Sequence, residues 1–166
     1  MGSSYWSYVA PYTGDAPTSL RALQERLIRD RDYYWYWGQG YPGVELRPWP
    51  ETVEELWDNE DYWYSGSHSI LDIQRVVDTT RPPSDFHHND DYSTVRPLSR
   101  DRLQRLFGTE KPTPAQFEAL TTDRQHPDYD AFWYEERKRW TGHYVLLYAD
   151  GEDTPAEIGF WGDSGD

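Results

Sequence analysis

Cysteine is absent from this 166-residue chain, methionine occurs once, and only 2 of the 16 basic residues are lysine. Without thiols the chain can form no disulfide bond, no thiolate metal site and no cysteine nucleophile, which favours a cytoplasmic location. The N-terminal residues lack a basic segment followed by an apolar one, and no run of about 18 apolar residues occurs. We therefore expect neither a signal peptide nor a membrane partner.

Aliphatic residues are also scarce, since Leu, Ile, Val and Phe together number 28 of 166. With a net charge of -14, so low a fraction is typical of disordered chains. The 9 Trp and 14 Tyr residues point the other way, because each ring can bury roughly 150 to 250 Å². The composition predicts a single folded domain, residues 1–166, with a largely aromatic core.

The charge is unbalanced, with 30 acidic residues against 16 basic ones. Such a surface repels nucleic acid and anionic lipid, so we expect neither as a partner. It favours a basic protein partner, and simple solubility is the alternative explanation. The oligomeric state is left open.

Local patterns predict alternating strands and helices in the first half of the chain. Aromatic and β-branched content indicates strands, and Asp15, Pro17 and three leucines at helical spacing indicate a helix. The predicted elements are a strand at Tyr5–Tyr12, a helix to Arg29, a strand at Asp32–Trp37, a helix from Val53 to about Asp61, and a strand or helical turn at Ser69–Val77.

In the second half, Pro, Asp, Ser and His residues predict a long exposed loop at about 80–97. Capping and amphipathic patterns then predict helices, and a D-G step predicts a hairpin. These elements are helices ending at Phe107 and Leu120, a helix at Pro127–Trp140, paired strands at His143–Ala149 and Ala156–Trp161, and a frayed tail at 162–166. The expected fold is α+β, a small, mostly antiparallel sheet with helices packed on one face and a terminal β-hairpin.

The octet YYWYWGQG, residues 33–40, has five consecutive aromatic residues. In a strand these rings would occupy both faces. If helices cover one face only, the other becomes an exposed aromatic patch of the kind that marks a binding surface; if helices cover both, the rings are core. On the first alternative the binding residues are Tyr34, Tyr36, Trp37, Trp49 and Trp63.

The candidate catalytic residues are His68, Ser69 and Asp72. In a strand His68 and Ser69 point to opposite faces and cannot pair, whereas His68 and Asp72 would meet on a helical turn. The run HHNDD, residues 87–91, holds metal-ligand residue types without a zinc spacing, so we predict a solvated loop and no metal site. There is no phosphate-loop or dinucleotide motif, and no cofactor is expected.

Two functions remain open. The first is an immunity or antitoxin-type protein, without catalytic activity, that neutralises a basic partner such as a nuclease toxin through an acidic, aromatic-rich surface. The alternative is a small-molecule binding protein or enzyme with an aromatic-lined pocket that uses His68, Ser69 and Asp72.

Overall fold

The computed structural model describes residues 3–84, 91–134 and 138–165. These ranges contain five strands and six α-helices, with single 3-10 turns at Tyr36–Gly38 and Ile70–Asp72. The strands are β1 (Ser3–Pro11), β2 (Arg75–Val76), β3 (Thr94–Pro97), β4 (Thr141–Tyr148) and β5 (Pro155–Gly165). The helices are α1 (Ala16–Asp30), α2 (Val53–Trp57), α3 (Tyr62–Ser65), α4 (Arg100–Phe107), α5 (Pro114–Thr122) and α6 (Tyr129–Tyr134).

The strands form one sheet in the order β1-β5-β4-β3-β2. The long pairs β1–β5 and β4–β5 are antiparallel, whereas the short pairs β3–β4 and β2–β3 are parallel. The α+β class, the mostly antiparallel sheet and the terminal pair of strands are therefore confirmed. Helix α1 is also confirmed, and the Asp15 carboxylate caps it by accepting a hydrogen bond from the Thr18 N–H at 2.7 Å.

Helices cover both faces of this sheet. Along β4 the side chains alternate between faces. Tyr144 and Leu146 pack with α1, α2 and α3 on what we call the first face, and Val145 and Leu147 pack with α4, α5 and α6 on the second face. The expectation of helices on one face only is wrong, because each of the two helical groups carries an apolar stripe that needs its own sheet face to be buried.

Glycines in β4 and β5 make room for a large ring on the first face. Gly142 and Gly162 lie opposite each other in the register, and Gly162 also lies opposite Trp6 of β1. A Cβ atom on either glycine would come within 2.7 Å of the Trp6 ring. This packing holds the C-terminal end of β5 against β1, so the predicted fraying of residues 162–166 is wrong as far as Gly165, and Asp166 lies outside the described residues.

The octet does not form the predicted strand. Trp35 is 2% exposed and belongs to the cluster of buried residues on the first face. Gly38 closes the 3-10 turn by donating its N–H to the Trp35 carbonyl at 3.0 Å. The Tyr34 N–H donates to the Ser67 carbonyl in a loop, at 2.9 Å. A strand needs a neighbouring strand for its main-chain hydrogen bonds, and the aromatic pattern alone cannot supply one.

Two predicted helices are shorter than expected. The helix that begins at Val53 ends at Trp57, and a separate turn of helix, α3, follows. The helix predicted to reach Trp140 is described over Tyr129–Tyr134, and residues 135–137 lie outside the described residues. Residues 138–140 are not helical, because the Trp140 N–H donates to the Asp163 carbonyl at 2.8 Å and so joins β5.

The predicted exposed loop at 80–97 contains a buried strand. Residues 94–97 form β3 inside the sheet, and the Arg96 side chain is 0% exposed. Its guanidinium donates to the Asp91 carboxylate at 2.5 Å and to the Arg81 carbonyl at 2.8 Å. The prediction fails here because the sequence does not distinguish a charged residue that is buried in an ion pair from one that is solvated. Residues 85–90, which belong to that loop and include most of the HHNDD run, lie outside the described residues.

Candidate functional site

The predicted binding residues lie in one part of the chain, residues 32–64, which we call the acidic-aromatic segment. Trp63 is 36% exposed, and the other four are half-buried. These four are Tyr34, Tyr36, Trp37 and Trp49. Trp37 and Trp49 pack against the cluster of buried residues on the first face, and none of the five lies in a strand. An uncovered sheet face therefore does not explain their exposure.

The most exposed apolar side chains of the segment were not among the predicted ones. Tyr64 is 87% exposed, Leu46 is 66% exposed and Tyr41 is 44% exposed. Tyr41 and Leu46 lie in the loop after the octet, and Tyr64 lies in α3 beside Trp63. Sequence reasoning missed them because exposure depends on which rings the core accepts, and a run of similar residues carries no such signal.

Ring contacts and one arginine hold the segment together. Tyr36 packs against Trp37 and Tyr41, with ring centroids 5.1 and 5.5 Å apart. The Arg47 guanidinium lies 5.2 Å from the centroid of the Trp37 ring and forms an ion pair with Asp61, at the start of α3. The ion pair thus connects the loop to the start of α3.

The acidic-aromatic segment also concentrates negative charge. It contains eight acidic residues and one basic residue, Arg47, which gives a formal charge of -7, half of the -14 of the whole chain. The acids are Asp32, Glu45, Glu51, Glu54, Glu55, Asp58, Glu60 and Asp61, and all but Asp61 are exposed. Glu54 pairs with Arg21 of α1 at 2.6 Å. Most of the carboxylates of the segment therefore face solvent.

The predicted catalytic residues do not form an acid–base pair. The two ring nitrogens of His68 bond to the Ser4 hydroxyl at 2.9 Å and to the Ser65 carbonyl at 3.0 Å. His68 is held there by a left-handed backbone, with φ of 53°, and by the Tyr34 ring at 4.6 Å. The helical turn that was to align His68 with Asp72 begins only at Ile70, after both His68 and Ser69.

Asp72 instead belongs to a buried cluster of hydroxyl groups. Its Oδ1 accepts hydrogen bonds from the Ser67 hydroxyl at 2.6 Å, the Ser67 N–H at 2.8 Å and the Tyr62 hydroxyl at 2.8 Å. Ser69 bonds to Ser67 at 2.8 Å and caps the turn at Ile70–Asp72. Burial raises the pKa of Asp72, although the hydroxyls of Ser164, Ser67 and Tyr62 oppose this. Asp72 and Ser69 are each 1% exposed, so the cluster is structural, with no surface for a substrate.

A second buried polar site lies on the other face of the sheet. His143 of β4 is 8% exposed and stacks on Trp161 at 5.5 Å, and Trp161 stacks on Phe132 at 4.5 Å. Burial, followed by the charges of Arg96 and Arg102, lowers the pKa of His143 to about 3. The adjoining cavity measures about 20 Å³, enough for one water molecule and too small for a substrate.

Within residues 3–84, 91–134 and 138–165 no three His, Asp or Glu side chains are grouped so as to hold a metal ion. No helix in that part of the chain has the length and apolar character needed to cross a membrane. Comparison of the chain with protein-family models, with curated proteins and with solved structures finds no match.

Proposed function

We propose that this protein binds a basic protein through the acidic-aromatic segment and thereby neutralises it, as an immunity or antitoxin-type protein does for a nuclease toxin. The observation that supports this is the coincidence, within 33 residues, of half the net charge and three exposed aromatic side chains, Tyr41, Trp63 and the 87% exposed Tyr64. Either feature alone is common on protein surfaces. Together they match the two parts of a tight interface, aromatic anchors and complementary charge.

The rings supply the anchors. Tyr and Trp are enriched at the centres of protein interfaces, because they bury a large area with few rotatable bonds. Trp63 and Tyr64 present such rings from α3, and Tyr41 presents another from the loop. The contact of Arg47 with Trp37 shows that a guanidinium fits on this surface, with the Asp61 carboxylate completing the site. A partner arginine would find the same chemistry in the neighbouring rings and acids.

The carboxylates supply attraction at a distance. A surface of one sign accelerates the encounter with an oppositely charged partner, and the effect weakens as salt is added, because the Debye length is about 8 Å at physiological ionic strength. Nuclease toxins are basic where they contact nucleic acid. A protein that covers such a surface with carboxylates blocks the active site by occupying it.

The test is capture of a partner from native extract on immobilised protein, with wild type, Trp63→Ala, Tyr64→Ala and Trp37→Ala in parallel. We expect a basic protein that wild type retains, that Trp63→Ala and Tyr64→Ala release, and whose nuclease activity the wild-type protein inhibits. Tyr134→Ala is the matched control, since Tyr134 is 53% exposed in α6 on the second face. Equal capture by all variants, or a captured protein that is acidic, would contradict the proposal.

The alternative, a small-molecule binder or enzyme using His68, Ser69 and Asp72, has less support. Ser69 and Asp72 are buried, and His68 is held by Ser4 and Ser65. His68→Ala should therefore leave partner binding unchanged. Loss of a measured turnover in this variant, with an unchanged circular dichroism spectrum, would restore the alternative.

A further inference from the structure

Among the described residues, strand β1 is an edge of the sheet. The strand has one neighbour, β5, and the Tyr12 N–H just beyond it donates to the Ala156 carbonyl at 3.0 Å. Main-chain groups of alternate residues point in opposite directions, so those of Ala10 and Tyr8 also face β5, and those of Val9 and Ser7 face outward. Within the described residues, no main-chain hydrogen bond involves the outward groups of Ser7 or Val9.

This edge lacks the features by which proteins usually prevent strand addition. Natural edge strands carry lysines, inward charges, internal prolines or bulges. From Ser3 to Ala10 the strand reads SSYWSYVA, with no charged residue and no proline, and its register with β5 runs without a shift from Ser3 to Pro11. Its main chain is therefore presented as a regular template for another strand.

A groove lies beside the edge on the second face. Phe117 of α5 packs over Gly159 of β5, where a Cβ would lie 2.7 Å from the ring, so α5 covers β5 at this point, and Ser7 and Val9 of β1 remain half-buried. The resulting cavity of about 410 Å³ is lined by Ser7, Val9, Pro114, Phe117, Glu118 and Glu157, and we call it the β1 groove. Its apolar wall is formed by Val9, Pro114 and Phe117, and its size accepts one or two side chains.

The two acids of the β1 groove favour a ligand that carries positive charge. Glu118 is exposed on α5, Glu157 is half-buried on β5, and neither forms an ion pair with another described residue. In a strand added to β1, residues i and i+2 point to the same face. If an apolar side chain of the added strand occupies the groove, the residues two positions before and after it point to the same face. Their side chains would therefore lie close to these carboxylates.

We propose that the β1 edge and groove bind an extended segment of a partner protein as a sixth strand, with an apolar residue in the groove and Lys or Arg two residues away. Main-chain hydrogen bonds to Ser7 and Val9 supply the pairing, and Phe117, Glu118 and Glu157 select the side chains. This surface is separate from the acidic-aromatic segment, and the inference does not depend on the proposed function.

The test uses ¹⁵N-labelled protein and the peptide acetyl-Thr-Arg-Thr-Val-Thr-Arg-Thr-amide at up to 2 mM, in which Arg, Val and Arg share one face. In the free protein the amides of Ser7 and Val9 should exchange rapidly and those of Trp6 and Tyr8 slowly. With peptide, exchange at Ser7 and Val9 should slow at least tenfold. Absence of this protection at 2 mM overturns the proposal.

Two further comparisons separate strand addition from other binding. Two versions of the peptide are N-methylated on alternate residues, the first version on one set of amides and the second version on the other set. Only one of the two should still bind, because only one set of amides faces β1. The double variant Glu118→Gln, Glu157→Gln should weaken binding at least tenfold, and Glu152→Gln, an exposed acid in the β4–β5 turn, should not. Equal binding of both methylated peptides overturns the proposal. So does a dimer in sedimentation whose Ser7 and Val9 amides are already protected, since a second copy then occupies the edge.

Discussion

Replacing His143 with phenylalanine should make the protein less sensitive to mild acid. The imidazole lies between Trp161 and the positively charged groups of Arg96 and Arg102, and its pKa is lowered to about 3. In the unfolded chain a histidine titrates near about 6.5. Between these values the unfolded chain binds one more proton than the folded one, so the stability present above pH 6.5 is lost as the pH falls.

The size of the effect follows from this difference in proton binding. Each pH unit below the unfolded pKa costs about 1.4 kcal/mol, so lowering the pH from 7.5 to 5.0 should cost about 2 kcal/mol through His143 alone. A phenylalanine keeps an aromatic ring beside Trp161 and cannot take up the proton. The variant should therefore lose about 2 kcal/mol less than wild type over the same interval.

Urea unfolding followed by tryptophan fluorescence measures this directly at the two pH values. Other titrating groups, including the 30 carboxylates, act in both proteins and cancel when the two pH-dependent losses are subtracted. A lower stability of the variant at both pH values is acceptable, since only the pH-dependent part reports on the proton. The same loss in both proteins between pH 7.5 and 5.0 would refute the reasoning.

Two further predictions concern the first face of the sheet. Gly162→Ala places a Cβ against the Trp6 ring and 2.6 Å from the Thr141 carbonyl oxygen, so we expect the free energy of unfolding in urea to fall by roughly 1–3 kcal/mol. Trp6→Leu in the same chain should restore part of this loss. An unchanged unfolding midpoint in Gly162→Ala would argue against the close packing. Asp72→Asn should reveal the raised pKa of Asp72. The stability of wild type relative to the variant should be greatest in acid and fall as the pH rises above about 4, because the buried carboxyl must then ionise, and a relative stability that rises with pH would contradict it.

Local signals in the sequence were sufficient where the structure depends on near neighbours. The capping box at Thr113 and Gln116 forms as the pattern predicts, with hydrogen bonds of 2.9 and 3.3 Å in the two directions. Asp15 caps α1 in the same way. The Asp-Gly step at Asp150 connects two paired strands. In each case the residues that decide the structure lie within four positions of one another or within one hairpin.

Elements whose partners are distant in the sequence were not predictable in this way. Arg96 reads as a solvated charge, yet its guanidinium is buried because Asp91 and the Arg81 carbonyl bond to it beside β4. Strand β3 pairs with β2 on one side and, on the other, with β4, which lies more than 40 residues later in the sequence. Likewise, nothing near His143 in the sequence indicates that it stacks on Trp161. The candidate binding residues in 34–63 were chosen because an uncovered sheet face was expected, and the structure has helices on both faces.

The aromatic surplus therefore has two uses that must be separated when binding is measured. The loop from Tyr33 to Trp49 contains no strand and one 3-10 turn, so ring contacts such as Tyr33 to Trp49 at 5.1 Å replace the hydrogen bonds that a regular element would supply. Trp37 belongs to this set, because it packs on Trp35 and holds Arg47. Truncating it removes packing from the segment as well as a contact surface. Tyr64, which is 87% exposed, supports no such packing, so a loss of affinity there reports on the partner alone.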